Sequence, residues 1–360
     1  MSLNILVTVD AVGGVWRYAV DLAAALATEG YGIAFAGFGP EPDAAQRAEA
    51  RSIGTLDWSD APLDWMATGP QDLAKVASWL MSVAHKRRTD LMHFNQPALA
   101  AGLRGGPPRL GVTHSCLATW FQVMENGCVP DRLSWQVDMT RAGLRNLDRI
   151  AAPSAAHAAL TERVYDLHGI VAVPNAGRSP LIAPDEGDGS VIAVARWWDR
   201  AKNGAVLHRA ALLSGATVTM IGDAEGPNGQ RFEPNCAPAP TAQPHDATLQ
   251  RIARSSLFVS PSLYEPFGLA ALEAARAGRP LLLADIPVYR EIWGEAARFF
   301  NPHDPAELAR AMTNLLDDPA TRLALGRAAQ DRALRYSMDE QVQKTTALYA
   351  GIIADAQVTS

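Results

Sequence analysis

Ser260–Gly278, SPSLYEPFGLAALEAARAG, is the stretch on which the reading of this chain turns. Leu257-Phe258-Val259 before it reads as a short buried strand, and Pro266-Phe267-Gly268 as a turn. From Leu269 onward, Ala270, Leu272, Ala274 and Ala275 favour helix, and Gly278-Arg279-Pro280 closes it. A helix that starts directly after a strand presents unpaired N–H groups, which attract anions and polar hydroxyls. Glu265 stands just before that N-terminus and Glu273 lies inside the helix. Both carboxylates are therefore placed to accept hydrogen bonds from a polyhydroxylated ligand. The plain alternative is a capped helix carrying two solvated glutamates.

Outward from this segment, strand-like and helix-like runs alternate along the whole chain, which predicts parallel sheets covered by helices. The first half gives strands at Asn4–Val9, Ile33–Ala36, Leu91–Phe94, Leu110–Val112, Arg149–Ala152 and Val171–Pro174. Helices are expected at Val15–Glu29, Arg132–Asn146 and Ala155–Asp166. Pro180, Pro184 and the acidic, glycine-rich Asp185–Gly189 read as a linker. Alternation then restarts with strands at Val191–Ala195, Thr217–Ile221, Leu257–Val259 and Leu281–Ala284. Helices follow at Asn203–Leu213, Thr248–Ala253, Pro305–Leu316 and Thr321–Arg335. The expected division is residues 1–178 and 179–336, with a last helix at about 337–354 free to return to the first domain. A Pro/Gly/Asn-rich loop between Gly222 and His245 is long for a compact domain.

With 360 residues the chain exceeds one ordinary core, and 48% hydrophobic with 19% charged residues describes a folded, water-compatible protein. A net charge of −6 with no basic stripe argues against a nucleic-acid partner and gives no sign of membrane association. His85-Lys86-Arg87-Arg88 reads as a solvated helix end. Three cysteines, Cys116, Cys128 and Cys236, show no C-x-x-C spacing, so neither a disulfide framework nor a zinc site is expected. No basic leader or long apolar run is visible, and a cytoplasmic location is expected.

E-P-F-G-L-x-x-x-E, from Glu265 to Glu273, resembles the signature of the retaining, group 1 (family 4) glycosyltransferases. The resemblance implies an α/β protein of GT-B fold: two doubly wound, Rossmann-like domains facing each other across a cleft. It implies that Glu265 meets the donor sugar, that Glu273 meets the ribose hydroxyls, and that the backbone of Phe267, Gly268 and Leu269 meets sugar or phosphate oxygens. Gly13 and Gly14, between the first strand and the first helix, match the family's diphosphate-contacting glycines. Alone they serve equally well as a tight turn, and they lack G-x-G-x-x-G spacing. Arg17 and Tyr18 in the next turn are weaker candidates for phosphate or acceptor contact.

Ala195-Arg196-Trp197-Trp198-Asp199-Arg200-Ala201-Lys202-Asn203 resembles the family's G-R-x-x-x-x-K-G element. Ala195 and Asn203 replace its two glycines. Arg196 and Lys202 are the implied cations for a leaving diphosphate, whose negative charge grows as the glycosidic bond breaks. The same resemblance puts His114, after the Leu110–Val112 strand, near the donor sugar and the reaction centre, with His93 as second choice. His245 is assigned to the long loop without a chemical role. Asn175 occupies the family's V-x-N-G turn with Ala176 in place of glycine, and reads as a turn residue. Trp120, Phe121 and Trp135 are taken as core before sugar platforms.

The function these features imply is retaining transfer from a nucleotide diphosphate sugar, UDP-sugar favoured, to a glycan, lipid-linked or small-molecule acceptor. No cofactor and no metal are expected. The rivals are a GT-B-type nucleotide-sugar epimerase or hydrolase, and a non-catalytic nucleotide- or glycan-binding protein. An NAD oxidoreductase lacks its glycine fingerprint, and H-E-x-x-H, G-x-S-x-G and Walker A sequences do not occur.

Overall fold

β1 (Asn4–Asp10) shows how this chain builds a sheet buried on both faces. Ile5, Val7 and Val9 enter one core cluster and Leu6 enters another, as the two-residue period of a strand requires. The computed structural model describes residues 3–226, 229–233 and 242–359. Cys236 and the centre of the long loop lie outside the described residues. The chain divides into two units, 1–176 with 338–360, and 177–337.

Unit 1 contains β1, α1 (Gly14–Thr28), β2 (Gly32–Phe38), α2 (Ala44–Ile53), β3 (Thr55–Trp58) and α3 (Val76–Lys86). It continues with β4 (Leu91–Phe94), β5 (Arg109–Val112), α4 (Leu117–Met124), α5 (Ser134–Arg145), β6 (Arg149–Ala152), α6 (Ala155–Tyr165) and β7 (Val171–Ala172). Among the described residues the strands form one sheet in the order β3-β2-β1-β4-β5-β6-β7, and every pairing is parallel.

Unit 2 contains β8 (Val191–Val194), α7 (Gly204–Ser214), β9 (Val218–Ile221), α8 (His245–Arg254), β10 (Leu257–Ser260) and α9 (Leu269–Arg276). It ends with β11 (Leu281–Ala284), α10 (Pro287–Trp293), β12 (Arg298–Phe300), α11 (Pro305–Asp317) and α12 (Pro319–Ala333). Its sheet, also wholly parallel, runs β12-β11-β10-β8-β9. The last helix, α13 (Met338–Thr359), belongs to unit 1, where Tyr349 and Ile352 are buried in the cluster of Trp16, Tyr18 and Leu22. Among the described residues no helix is long and apolar enough to cross a membrane.

Several local readings need correction. The Pro180–Gly189 stretch is no slack linker. Ile182 donates its N–H to the Arg276 carbonyl, Ser256 Oγ donates to the Glu186 carbonyl, and Asp185 pairs at 2.6 Å with Arg279, which is fully buried. The basic run does end α3 as a solvated helix end, with His85, Lys86 and Arg88 exposed, and it carries ion pairs besides. Lys86 and Arg87 both pair with Asp57 of β3, at 2.8 and 2.7 Å. His245 opens α8 and does not sit in a loop.

His93 is likewise not at a ligand surface. On β4 it shares parity with Leu91 and pairs in register with Val7, so it points beneath α1 and α13. It is 1% exposed, and its Nδ1 lies 2.6 Å from the Tyr349 hydroxyl. Burial lowers its pKa to about 4, and does the same for His157 in α6. Both sit well below the unfolded imidazole value of about 6.5. Below pH 6.5 the unfolded chain therefore takes up protons that the folded chain refuses, until the folded groups titrate near 4.

We expect stability to be full above about pH 6.5 and to fall from there towards pH 5, by about 1.4 kcal/mol per pH unit for each of His93, His157 and His114, the last likewise lowered by burial, to about 3. Thermal melting across that window checks this, since carboxylates titrate lower. A melting temperature unchanged between pH 7 and pH 5 would contradict the buried neutral imidazoles.

Candidate active site

In unit 2, β8 leads on to β9 on one side, while β10 lies on its other side and leads on to β11. Chain directions diverge at such a switch point, leaving a crevice outside the carboxyl ends of the two central strands. The loops after β8 and β10 are the ones that carry the sequence candidates. They are joined by backbone and side chain alike. Leu263 donates its N–H to the Ala201 carbonyl at 2.8 Å, and Asn203 Nδ2 donates to the carbonyls of Pro261 and Pro302 at 3.0 and 2.7 Å.

Asn203 adopts φ 55 and ψ 37, a left-handed conformation that glycine enters freely and asparagine tolerates best among residues with a side chain. Replacement of the family's glycine here therefore preserves the turn and adds two hydrogen bonds. Ala195 and Ala176 do not have positive φ, so neither position demands a glycine.

This turn delivers Lys202. Its Nζ stands 2.7 Å from Glu265 Oε2, with the two side chains only 12% and 19% exposed. An ammonium has three N–H donors and a carboxylate about four acceptor positions, so each partner retains capacity for a ligand. Removing one alone would strand the other in a poorly hydrated site, at a cost of several kcal/mol. Arg196, in the same loop, is exposed and its guanidinium lies 5.4 Å from the Trp198 ring centroid.

Gly268 caps α9 with φ 95, and a Cβ there would come within 2.8 Å of Tyr289. Only glycine fits, which lets backbone close on a ligand at this turn. No side chain caps α9, whose first residue is Leu269. Phe267 is 2% exposed and packs edge-on to Tyr336, so its side chain is core and only its backbone is open to a ligand role. Glu273, within α9, stands 3.7 Å from His245 Nε2. The two glutamates thus have different neighbours, Lys202 for one and His245 for the other. The histidine was assigned no role from sequence.

Unit 1 repeats the geometry. Its switch point falls between β1 and β4, the neighbours at the centre of the sheet. Gly13, at φ 76, caps α1, whose first residue is Gly14. Asp10 at the end of β1 accepts from the Val12 N–H at 2.9 Å and from Gln96 Nε2 beyond β4, so it holds the glycine turn to the neighbouring strand end. Arg17 does not present itself to a ligand, because Asp21 and Glu49 hold it at 2.6 and 2.7 Å. Tyr18 is buried and meets His114 edge-on at 4.3 Å between centroids.

His114, two residues past β5, is partly exposed, and its Nε2 lies 3.0 Å from Asn95 Oδ1. Burial of the ring, with His93 and His157 nearby, holds it neutral, its pKa lowered to about 3. Trp135 packs against a core cluster, while Trp120 and Phe121 are half-buried and meet each other edge-on at 5.1 Å. Asn175 is buried, its Oδ1 without a hydrogen-bond partner.

Thr8, Asp10, Asn95 and Gln96 were not singled out from sequence. The available signal was the polar residue closing each otherwise apolar strand. Which strands stand side by side is what that signal lacks.

Residues 12–176 match the model of Glycosyltransferase Family 4, and residues 240–332 that of Glycosyl transferases group 1. The chain belongs to the group 1 (family 4) glycosyltransferases. It is 44% identical over 90 residues to a glycogen synthase of Mycobacterium tuberculosis, a match covering 24% of this chain and 22% of that protein. It is 38% identical over 98 residues to a D-inositol 3-phosphate glycosyltransferase of Streptomyces avermitilis, covering 26% of this chain and 21% of the relative. The aligned regions are thus about a fifth of those proteins' own lengths.

The fold is GT-B. Sucrose-phosphate synthase from Thermosynechococcus elongatus superposes with a TM-score of 0.82 at 18% identity, over 98% of this chain and all of that one. Anabaena HepE, solved in complex with UDP-glucose, superposes at 0.72 and 17% identity over 99% of this chain and all of HepE.

Asn203→Gly should cost stability through its two lost hydrogen bonds, about 1 kcal/mol each. Asn203→Ala should cost roughly 1 kcal/mol more, because alanine is strained at positive φ. Urea unfolding of the three proteins reads the order, and an alanine variant as stable as the glycine one would contradict it.

Proposed function

We propose that this protein transfers a hexosyl unit from a nucleoside diphosphate sugar, a UDP-sugar by preference, to an acceptor hydroxyl with retention at the anomeric carbon. The observation carrying this reading is the partly buried Lys202–Glu265 pair at the unit 2 switch point, set beside an uncapped helix start at Gly268. Lys202 and Arg196 serve the diphosphate, Glu265 accepts from sugar hydroxyls, and Glu273 takes the ribose. Gly13, Gly14 and His114 are the contribution of unit 1.

In the reaction the bond between the anomeric carbon and the β-phosphate oxygen breaks, and the diphosphate leaves with the electron pair. The acceptor oxygen forms the new glycosidic bond and passes its proton to the departing diphosphate. Positive charge fixed in advance acts where negative charge develops, and one such contact is typically worth a factor of about 10² to 10³ in rate. Lys202, Arg196 and the N-terminus of α9 supply that charge, so the proposed reaction needs no metal.

UDP preference is supported by HepE, solved with UDP and with UDP-glucose. The acceptor is a glycan, a lipid-linked sugar or a small molecule. The named activities of the inositol-phosphate glycosyltransferases favour a small polyol phosphate for the first screen. The proposed compartment is the cytoplasm.

Lys202→Ala and Glu273→Ala should each abolish transfer and weaken UDP binding, whereas His114→Ala should leave UDP binding intact and lower turnover. Isothermal titration with UDP and release of UDP from UDP-glucose with an acceptor panel measure the two quantities, with melting curves to verify folding. A folded Lys202→Ala protein with wild-type binding and rate would overturn the diphosphate assignment. UDP release unaffected by any acceptor would favour a hydrolase instead.

A further inference from the structure

Asn95 closes β4 and is 3% exposed, beside Thr8 of β1, which is fully buried. Its backbone N–H donates to Thr8 Oγ1 at 2.9 Å, and its Nδ2 donates to the Thr8 carbonyl at 2.8 Å. A carbonyl oxygen only accepts, so the nitrogen end of the Asn95 amide must be the end that meets Thr8. The oxygen end is then left for His114, whose Nε2 lies 3.0 Å away. Since Oδ1 also only accepts, Nε2 must carry the hydrogen, and Nδ1 is left with a lone pair. One backbone carbonyl in the centre of the sheet thus fixes a proton two side chains away.

We infer that Asn95, held by Thr8, is a positioning residue that locks His114 in its Nε2–H tautomer, so that the imidazole meets the donor sugar as a hydrogen-bond acceptor through Nδ1. This inference rests on the proposed function, which places His114 beside the sugar. The group that meets His114 must accordingly be a donor, such as a sugar hydroxyl. An imidazole used in this way puts a lone pair, not a proton, beside a sugar ring that gains positive charge in the transition state. His114 acts neither as a general acid nor as a cation.

The remaining surroundings keep the ring in place and uncharged. Tyr18 of α1 meets it edge-on at 70°. The titratable groups around His114 are Tyr18, His93 of β4 and His157 of α6, and a second positive charge among these imidazoles would be opposed by burial and repulsion. All of these partners sit on strands and helices of unit 1, a rigid support for a residue that must be oriented.

Long-range ¹H–¹⁵N correlation spectra of the histidine-labelled protein read the tautomer directly, without any substrate. The expected result is His114 neutral with its hydrogen on Nε2 from pH 6 to pH 8. In Asn95→Leu the same resonance should show a mixture of tautomers. In Asn95→Asp the carboxylate should stabilise the imidazolium, bring His114 titration towards neutral pH, and add an acid limb to kcat that falls roughly tenfold per pH unit. KM for the donor should change far less than kcat.

A wild-type His114 protonated on Nδ1, or charged at pH 7, would overturn the inference. So would an Asn95→Leu protein that keeps the wild-type tautomer. The expected spectra in a protein that turns over no nucleotide sugar would leave the Asn95 lock standing while removing the glycosyltransferase reading and the role of Nδ1 towards sugar.

Discussion

Both units depend on one constraint, the divergence of chain direction at the centre of a parallel sheet. A strand buried on both faces offers no polar surface of its own, as the core positions of β1 and β10 illustrate. Polar groups can gather only where strands end, and they can approach one another only where neighbouring connections part to opposite faces. In unit 2 this is the β8/β10 junction, where Lys202 meets Glu265. In unit 1 it is the β1/β4 junction, where Asp10 meets Gln96 and Thr8 holds Asn95.

The polar contacts at these junctions also join the connections to each other. Asn203 bonds the carbonyls of Pro261 and Pro302, so the turns after β8, β10 and β12 hold one another. Lys202 and Glu265 then stand as a neutral pair with most of their hydrogen-bonding capacity unused. A preassembled pair of this kind needs little rearrangement on meeting a phosphate and a hydroxyl, which is the condition for charge stabilisation to act in the transition state. The backbone at Gly268 and Gly13 is compatible with the same purpose, since each holds positive φ at a helix start that no side chain caps.

Much of this was legible in the sequence, because the decisive signals are local. Buried strands such as Leu91–Phe94 and Leu281–Ala284 are short apolar runs, and Glu265–Glu273 carries its turn, its helix and both carboxylates in nine consecutive residues. What escaped was short or contrary to propensity. β3, Thr55–Trp58, is an edge strand containing Asp57, and β12 has only three residues. α4 and α10 are rich in aromatic and β-branched residues that favour strands, yet packing holds them helical. The polar partners escaped for another reason. Asn95 and His114 are 19 positions apart, Lys202 and Glu265 are 63, and His93 and Tyr349 are 256. Strand order decides such pairs. The burial of His93 was readable in principle from its parity with Leu91 on β4.

The central claim is that the switch point of unit 2 is a metal-independent site for a nucleoside diphosphate, and calorimetric titration of UDP, GDP and ADP into the intact protein, first in chelator and then with magnesium, tests it most directly. The account predicts that UDP binds in chelator, more tightly than GDP or ADP, and that magnesium does not improve its affinity. Failure of all three nucleotides to bind, or binding that appears only with the metal, would contradict it.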